Sequence, residues 1–232
     1  MNKRIFRKII AVVLSIGCIV ATNMIALAAP AENQAKVTMN GGVRTAVTSD
    51  GTYEYIVTFD TVDNTMQMSI KNMKTGDIKN GPAISCKNDV AQQTREKIHQ
   101  DTFSNFEYDI YIGSPNKWRL ERPKGAFSQY YFEINENSSN QNRLNTYRSA
   151  VDTLNTQEVK AISMGGTAMV TTAAAAFVSG MAVASGGVLT PEAIASVVAA
   201  VGANGAMAIE ISEMGNCCNN CLYAYMDVFN NQ

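Results

Sequence analysis

Apolar and polar residues alternate with a period of two over much of the stretch from Gly41 to Ile84. Tyr53, Tyr55, Val57 and Phe59 interleave with Glu54, Ile56, Thr58 and Asp60, and Met66, Met68 and Ile70 interleave with Gln67, Ser69 and Lys71. This spacing puts one set of side chains on each face of a strand. Val62-Asp63-Asn64-Thr65 and Lys74-Thr75-Gly76-Asp77 supply turn residues between the runs, so an antiparallel meander is predicted. Asn88 or Asp89 is a suitable cap for a short helix through His99. Alternation resumes over 106–112, 117–121 and 127–134, with turns at Gly113-Ser114-Pro115-Asn116 and Arg122-Pro123-Lys124-Gly125. In a regular strand Tyr130 and Tyr131 point to opposite faces, which would expose one ring.

The period changes after the polar linker 135–140. Leu144, Tyr147, Val151, Leu154 and Ile162 fall near a helical repeat, with Arg143, Arg148, Asp152 and Glu158 assigned to the surface of that helix. It leads into a segment, 161–211, built from Ala, Gly, Val, Ser, Thr and Met, in which Glu192 is the one ionisable side chain before Glu210. Ser185–Pro191 splits this segment, and Thr190-Pro191-Glu192 is a strong helix start: a cap, a proline at the first helical position and an acid at the positive end of the dipole. The predicted fold class is therefore α+β. An N-terminal antiparallel β-meander domain (29–135) precedes an amphipathic helix and an Ala/Gly-rich helical hairpin within 141–232.

Each half of the hairpin approaches the roughly 20 residues that a membrane-crossing helix needs. Ala168, Thr172, Ala176, Gly180 and Ala184 recur every fourth residue in the first half, and Ser196, Ala200, Asn204, Ala208 and Ser212 in the second. Small side chains at this spacing let two helix backbones approach closely. Phe177, Met181, Val197, Val201 and Ile209 then remain to face lipid or a protein core. Ala, Gly, Ser and Thr favour insertion far less than Leu or Phe, so the segment is a marginal permanent anchor. No Lys or Arg occurs from Ala161 to Gln232, while Glu192, Glu210, Glu213 and Asp227 do. A membrane-inserted hairpin would therefore keep both ends outside, and the tail lacks the cationic face that draws many helices to anionic lipid.

Met1-Asn2-Lys3-Arg4-Ile5-Phe6-Arg7-Lys8, the apolar run to Ile25 and the small-x-small site Ala26-Leu27-Ala28 read as a secretory signal peptide over 1–28, cut after Ala28. An uncleaved anchor is the alternative. A lipoprotein reading at Cys18 ranks lower, because Ser15 stands where an aliphatic residue belongs. Removing the four cations of the signal and no acid takes the formal charge from -1 to -5, which gives no reason to expect nucleic-acid binding. The exported chain keeps Cys86, Cys217, Cys218 and Cys221. In an oxidising compartment these four are disulfide candidates, with Cys86 paired to one of the C-terminal trio and the other two paired with each other. Cys86 has no local C-x-x-C partner, so no metal site is assigned, and no cofactor is expected.

Signal peptide, polar middle and the runs Ala173-Ala174-Ala175-Ala176-Phe177-Val178 and Ala195-Ser196-Val197-Val198-Ala199-Ala200-Val201-Gly202 resemble the precursors of hydrophobic bacteriocins and secreted cannibalism-type toxins of Gram-positive bacteria. The resemblance is compositional and covers the C-terminal segment. It implies a secreted, membrane-active protein in which the hydrophobic part attacks a bilayer. Unlike that group, this chain carries an acidic, cysteine-containing tail. The alternative is a secreted interaction module, with the hairpin as a buried core or oligomer interface and exposed sheet aromatics binding a protein or glycan. An enzyme is the weakest reading: His99 is the only histidine, a Cys86/His99 pair lacks a base-orienting motif, and no zinc-protease, phosphate-loop or nucleophile-elbow motif is present.

Overall fold

The computed structural model of the protein describes residues 35–86 and 97–232. The signal peptide, Cys18 and most of the helix expected after Asn88 lie outside the described residues.

The fold is α+β, with antiparallel sheets first and helices after them. Strands β1 (Lys36–Asn40), β2 (Val43–Ser49), β3 (Tyr53–Asp60), β4 (Thr65–Asn72) and β5 (Ile78–Asn80) form a meander in sequence order, and β6 (Ile84–Ser85) returns to β4 beyond the end of β5. Strands β7 (Lys97–Gln100), β8 (Glu107–Tyr111), β9 (Lys117–Glu121) and β10 (Tyr131–Asn135) form a second antiparallel sheet in the order β10-β9-β8-β7.

Two local expectations change. Residues Lys97–Gln100 are a strand, because pairing with β8 sets His99 opposite Asp109 and gives this backbone ladder partners. Phe127 and its neighbours are not in a strand, since the Arg122 guanidinium lies over the Phe127 ring at 4.1 Å and the ring packs against Gly187. Strand β10 therefore begins at Tyr131, which is the exposed tyrosine of the pair.

Four helices follow: α1 (Gln141–Gly165), α2 (Thr167–Val183), α3 (Pro191–Val201) and α4 (Gly205–Asn230). Thr190 caps α3 as expected, its Oγ1 accepting from the Ala193 N–H at 3.2 Å. The second half of the expected hairpin is not one helix. Gly202 takes φ +76°, ends α3 by returning its N–H to Ala199, and lets the chain restart as α4, which also carries the cysteines. This break puts Asn204 in an exposed N-cap position and interrupts the four-residue repeat from Ser196 to Ser212.

Helix α2 is apolar all round, and every residue from Val170 to Met181 is buried. It lies on β4, while α3 covers β2 and β3 and α1 packs along α4 against the second sheet. One core cluster joins Val57, Met68, Trp118 and Leu120 of the sheets to Leu154, Phe177, Val197 and Tyr225 of the helices. The polar linker at 135–140 marks the change from strand to helix, and the packing crosses it.

The seat of α2 is polar at one point. Strand β5 stops at Asn80, and Pro82 has no N–H to offer the ladder. Ser179 fills the gap: its Oγ accepts from the Met68 N–H at 2.8 Å and donates to the Pro82 carbonyl at 2.7 Å. The approach is so close that a Cβ on Gly81 would lie 2.3 Å from the Ser179 carbonyl oxygen.

Ser179→Ala strands a buried N–H and should cost about 1–3 kcal/mol in urea unfolding. Gly81→Ala must push one backbone off another and should cost about 2–4 kcal/mol, whereas Gly76→Ala, whose Cβ would meet open space and which strains only its own left-handed backbone at φ +79°, should cost about 1–2 kcal/mol. Equal losses at Gly76 and Gly81 would contradict this seating of the helix.

Candidate functional site

The residues singled out in the uncharged segment divide into three groups. Phe177, Met181 and Val197 are sealed in the core, Val201 is half-buried and Ile209 is exposed. Of the small face of α2, Thr172, Ala176 and Gly180 are buried, Ala184 is half-buried and Ala168 is exposed. Gly180 does not serve a helix pair alone: a Cβ there would meet Met68 Sδ at 2.6 Å and Leu189 at 2.8 Å, so the small residues also bring α2 down onto a strand. Ser196 and Ala200 of α3 are buried, and Ser196 Oγ shares a hydrogen bond with Thr48 Oγ1 of β2. Gly215 of α4 does a similar job that the four-residue pattern did not flag, leaving room for Phe177 and Ile194.

At one end of α2 two uncharged turns meet. The α1–α2 turn at Gly165-Gly166 packs against Met207, at the start of α4, with Met169 alongside. Met164 and Ile209 are about half exposed there, and no ionisable residue occurs over 161–169 or 201–209. Lys160 and Glu210, paired at 2.8 Å, stand immediately behind this end. Arg44 anchors it from the sheet by donating to the Ala199 carbonyl at 2.9 Å, next to the negative end of the α3 dipole. The joints on either side of α2 are glycines with positive φ: Gly166 at +81°, and Gly186 and Gly187 at +65° and +78°.

Cys86, Cys217, Cys218 and Cys221 are separate thiols, so the expected staple between the tail and the sheet is not formed here. The trio shares one continuous helix, α4, and the Cys86 thiol lies beside Thr172 of α2 instead. Burial pushes all four thiols up, most strongly Cys218 and Cys221 in the core. Cys86 and His99 are engaged separately, since His99 Nδ1 lies 2.7 Å from Asp109 Oδ1 on the second sheet. Among the described residues no cluster of His, Cys, Asp or Glu is arranged to hold a metal ion.

Glu158, expected on the helix surface, is instead wholly buried, on the stripe of Leu154 and Ala161. Its carboxylate accepts from the Phe103 N–H, the Ser104 N–H and Ser104 Oγ at 2.9, 3.0 and 2.8 Å, tying down the loop ahead of β8. The spacing was the available signal, because position 158 lies four residues after Leu154 and three before Ala161.

No family model, no curated protein and no solved structure matches this chain.

Burial pushes the Glu158 carboxyl up to about 7, and burial together with neighbouring Glu121 does the same for Glu107. A carboxyl with a raised folded-state pKa favours folding most below its unfolded value near 4.5 and loses that contribution as pH rises through 7. The urea midpoint of the wild type should therefore fall between pH 5 and 8. Glu158→Gln should flatten that fall by up to about 3 kcal/mol while leaving the share due to Glu107. An unchanged pH slope in the variant would show that Glu158 does not titrate in this window.

Proposed function

We propose that this is an exported, non-enzymatic, membrane-active protein of toxin or bacteriocin type, which stores its α2–α3 hairpin in the core and delivers it to a bilayer on release. The observation that carries this reading is α2 itself, an uncharged helix apolar on every side and hinged by glycines at both ends. Lipid tails are as apolar as the core that α2 occupies, so moving the helix costs little for α2 and falls mainly on the sheet it uncovers. No helix among the described residues is long and apolar enough to cross a membrane. At 1.5 Å per residue α2 reaches only about 25 Å, short of a hydrocarbon core of about 30 Å. Straightening the Gly165-Gly166 joint would add the uncharged end of α1, giving a helix over 161–183 of about 34 Å. The end around Met164 and Ile209 is the natural first point of contact; its two turns carry no charge, and nearby Lys160 is paired with Glu210 while Arg44 is bonded to the Ala199 carbonyl, which predicts attachment to neutral as well as anionic lipid.

A second reading keeps the hairpin as permanent core in an interaction module. The hydrogen bonds of Ser179 and Ser196 to the sheet favour it, since both bind polar groups that lipid would leave unpaired.

Thr48 and Ser196 hydroxyls touch across the β2–α3 contact, so the double substitution Thr48→Cys/Ser196→Cys should lock the hairpin to the sheet under oxidising conditions. The wild type should release dye from phosphatidylcholine vesicles. The locked variant should bind the vesicles without leakage and regain leakage when dithiothreitol is added. Leakage from the oxidised, locked variant would rule out release of the hairpin. If the wild type neither binds nor permeabilises neutral or anionic vesicles, the interaction-module reading stands instead.

A further inference from the structure

At the end of α2 away from Met164 and Ile209, strands β3 to β5 run on past the helix and leave an open cleft. The register places Tyr55, Ile70 and Lys79 in one row across three strands, with Tyr53 and Asn72 in the next. The end of α2 and the turn before α3 form the opposite wall, through Val183, Ala184, Val188 and Leu189. The cleft holds about 430 Å³ and is mostly apolar inside, within the size range of small-molecule sites. Its floor is firm: Tyr55 donates its hydroxyl to Asp50 at 2.8 Å, and Asn219 pins the Leu189 backbone with two 2.9 Å hydrogen bonds.

The mouth carries one cation, Lys79, and one carboxylate, Asp77. Lys79 shares a cross-strand row with Ile70 and Tyr55, and it has no ion-pair partner among the described residues. Asp77, its neighbour at the rim, is turned into its own loop, where it accepts from the Thr75 hydroxyl at 2.7 Å. An apolar slot with one cation at its opening complements an apolar chain that ends in one anion. We propose that this cleft binds a free aliphatic monocarboxylate, with the chain along Ile70, Leu189 and Ala184 and the carboxylate at Lys79.

The test is calorimetric titration of the full-length exported chain with hexanoate, octanoate and decanoate below their micellar concentrations. Decanol and decyltrimethylammonium serve as uncharged and cationic controls. Affinity should rise by up to about fourfold per methylene until the slot is full. Decanoate should bind more tightly than either control. Lys79→Met, which keeps the apolar stem, should weaken decanoate about three- to tenfold and leave decanol unchanged. Ala184→Trp fills the slot from a half-buried wall position and should abolish binding of both, with its thermal melt showing that the variant is folded. Equal affinity for decanoate and decyltrimethylammonium, indifference to Lys79→Met, or binding that survives Ala184→Trp in a folded protein would each overturn the proposal. So would the absence of any binding. The site is separate from hairpin release: the Thr48→Cys/Ser196→Cys variant should still bind decanoate, so either proposal can fail alone.

Discussion

The fold depends on the contact between α2 and β4. A helix this apolar has no face to give to water, so it must be enclosed, and the sheet encloses it by coming within backbone distance. Gly81 and Gly180 remove the side chains that would hold the two elements apart. Ser179 then supplies both a donor and an acceptor where Pro82 and the early end of β5 leave the ladder incomplete. Helix and sheet each satisfy a need that the other creates, and α1, α3 and α4 close over the remaining surface of α2.

Polar side chains elsewhere follow the same logic at smaller scale. Arg44 reaches from β2 to the Ala199 carbonyl near the end of α3, Thr48 and Ser196 join those elements further along, and Glu158 gathers three donors from the loop ahead of β8. Each is a polar group set against a different element, and each has hydrogen-bond partners that offset part of its desolvation. These contacts hold the two halves of the chain together without a formed disulfide. They also determine what must be broken for the hairpin to move: one set of hydrogen bonds under α2 and another under α3.

The two ends of α2 differ in chemistry. One end has an uncharged surface built from two glycine-containing turns, with methionine and isoleucine exposed. The other, where the strands outrun the helix, has an apolar cleft with Lys79 at its rim. The proposed lipid contact and the proposed slot for a small amphiphile thus sit at opposite poles of one buried helix. The hydrogen bonds that retain that helix lie between them.

Much of this was legible in the chain. Period-two alternation marks β2 to β4, β8 and β9, the Thr190-Pro191-Glu192 start marks α3, and the amphipathic repeat marks α1, because these signals are local. The sequence alone also determines that 161–209 is almost free of charge and must be hidden from water. It does not determine what hides it. Small residues every fourth position describe a close approach without naming the partner, and here the partner of Gly180 includes a strand. Glu158 followed the buried stripe by spacing, but its polarity pointed outward until the loop at Phe103 and Ser104 supplied donors. The four cysteines stand as thiols because α4 runs through three of them and Cys86 lies against α2. In each case a residue distant in the chain decided the outcome, and only the folded arrangement brings that residue within reach.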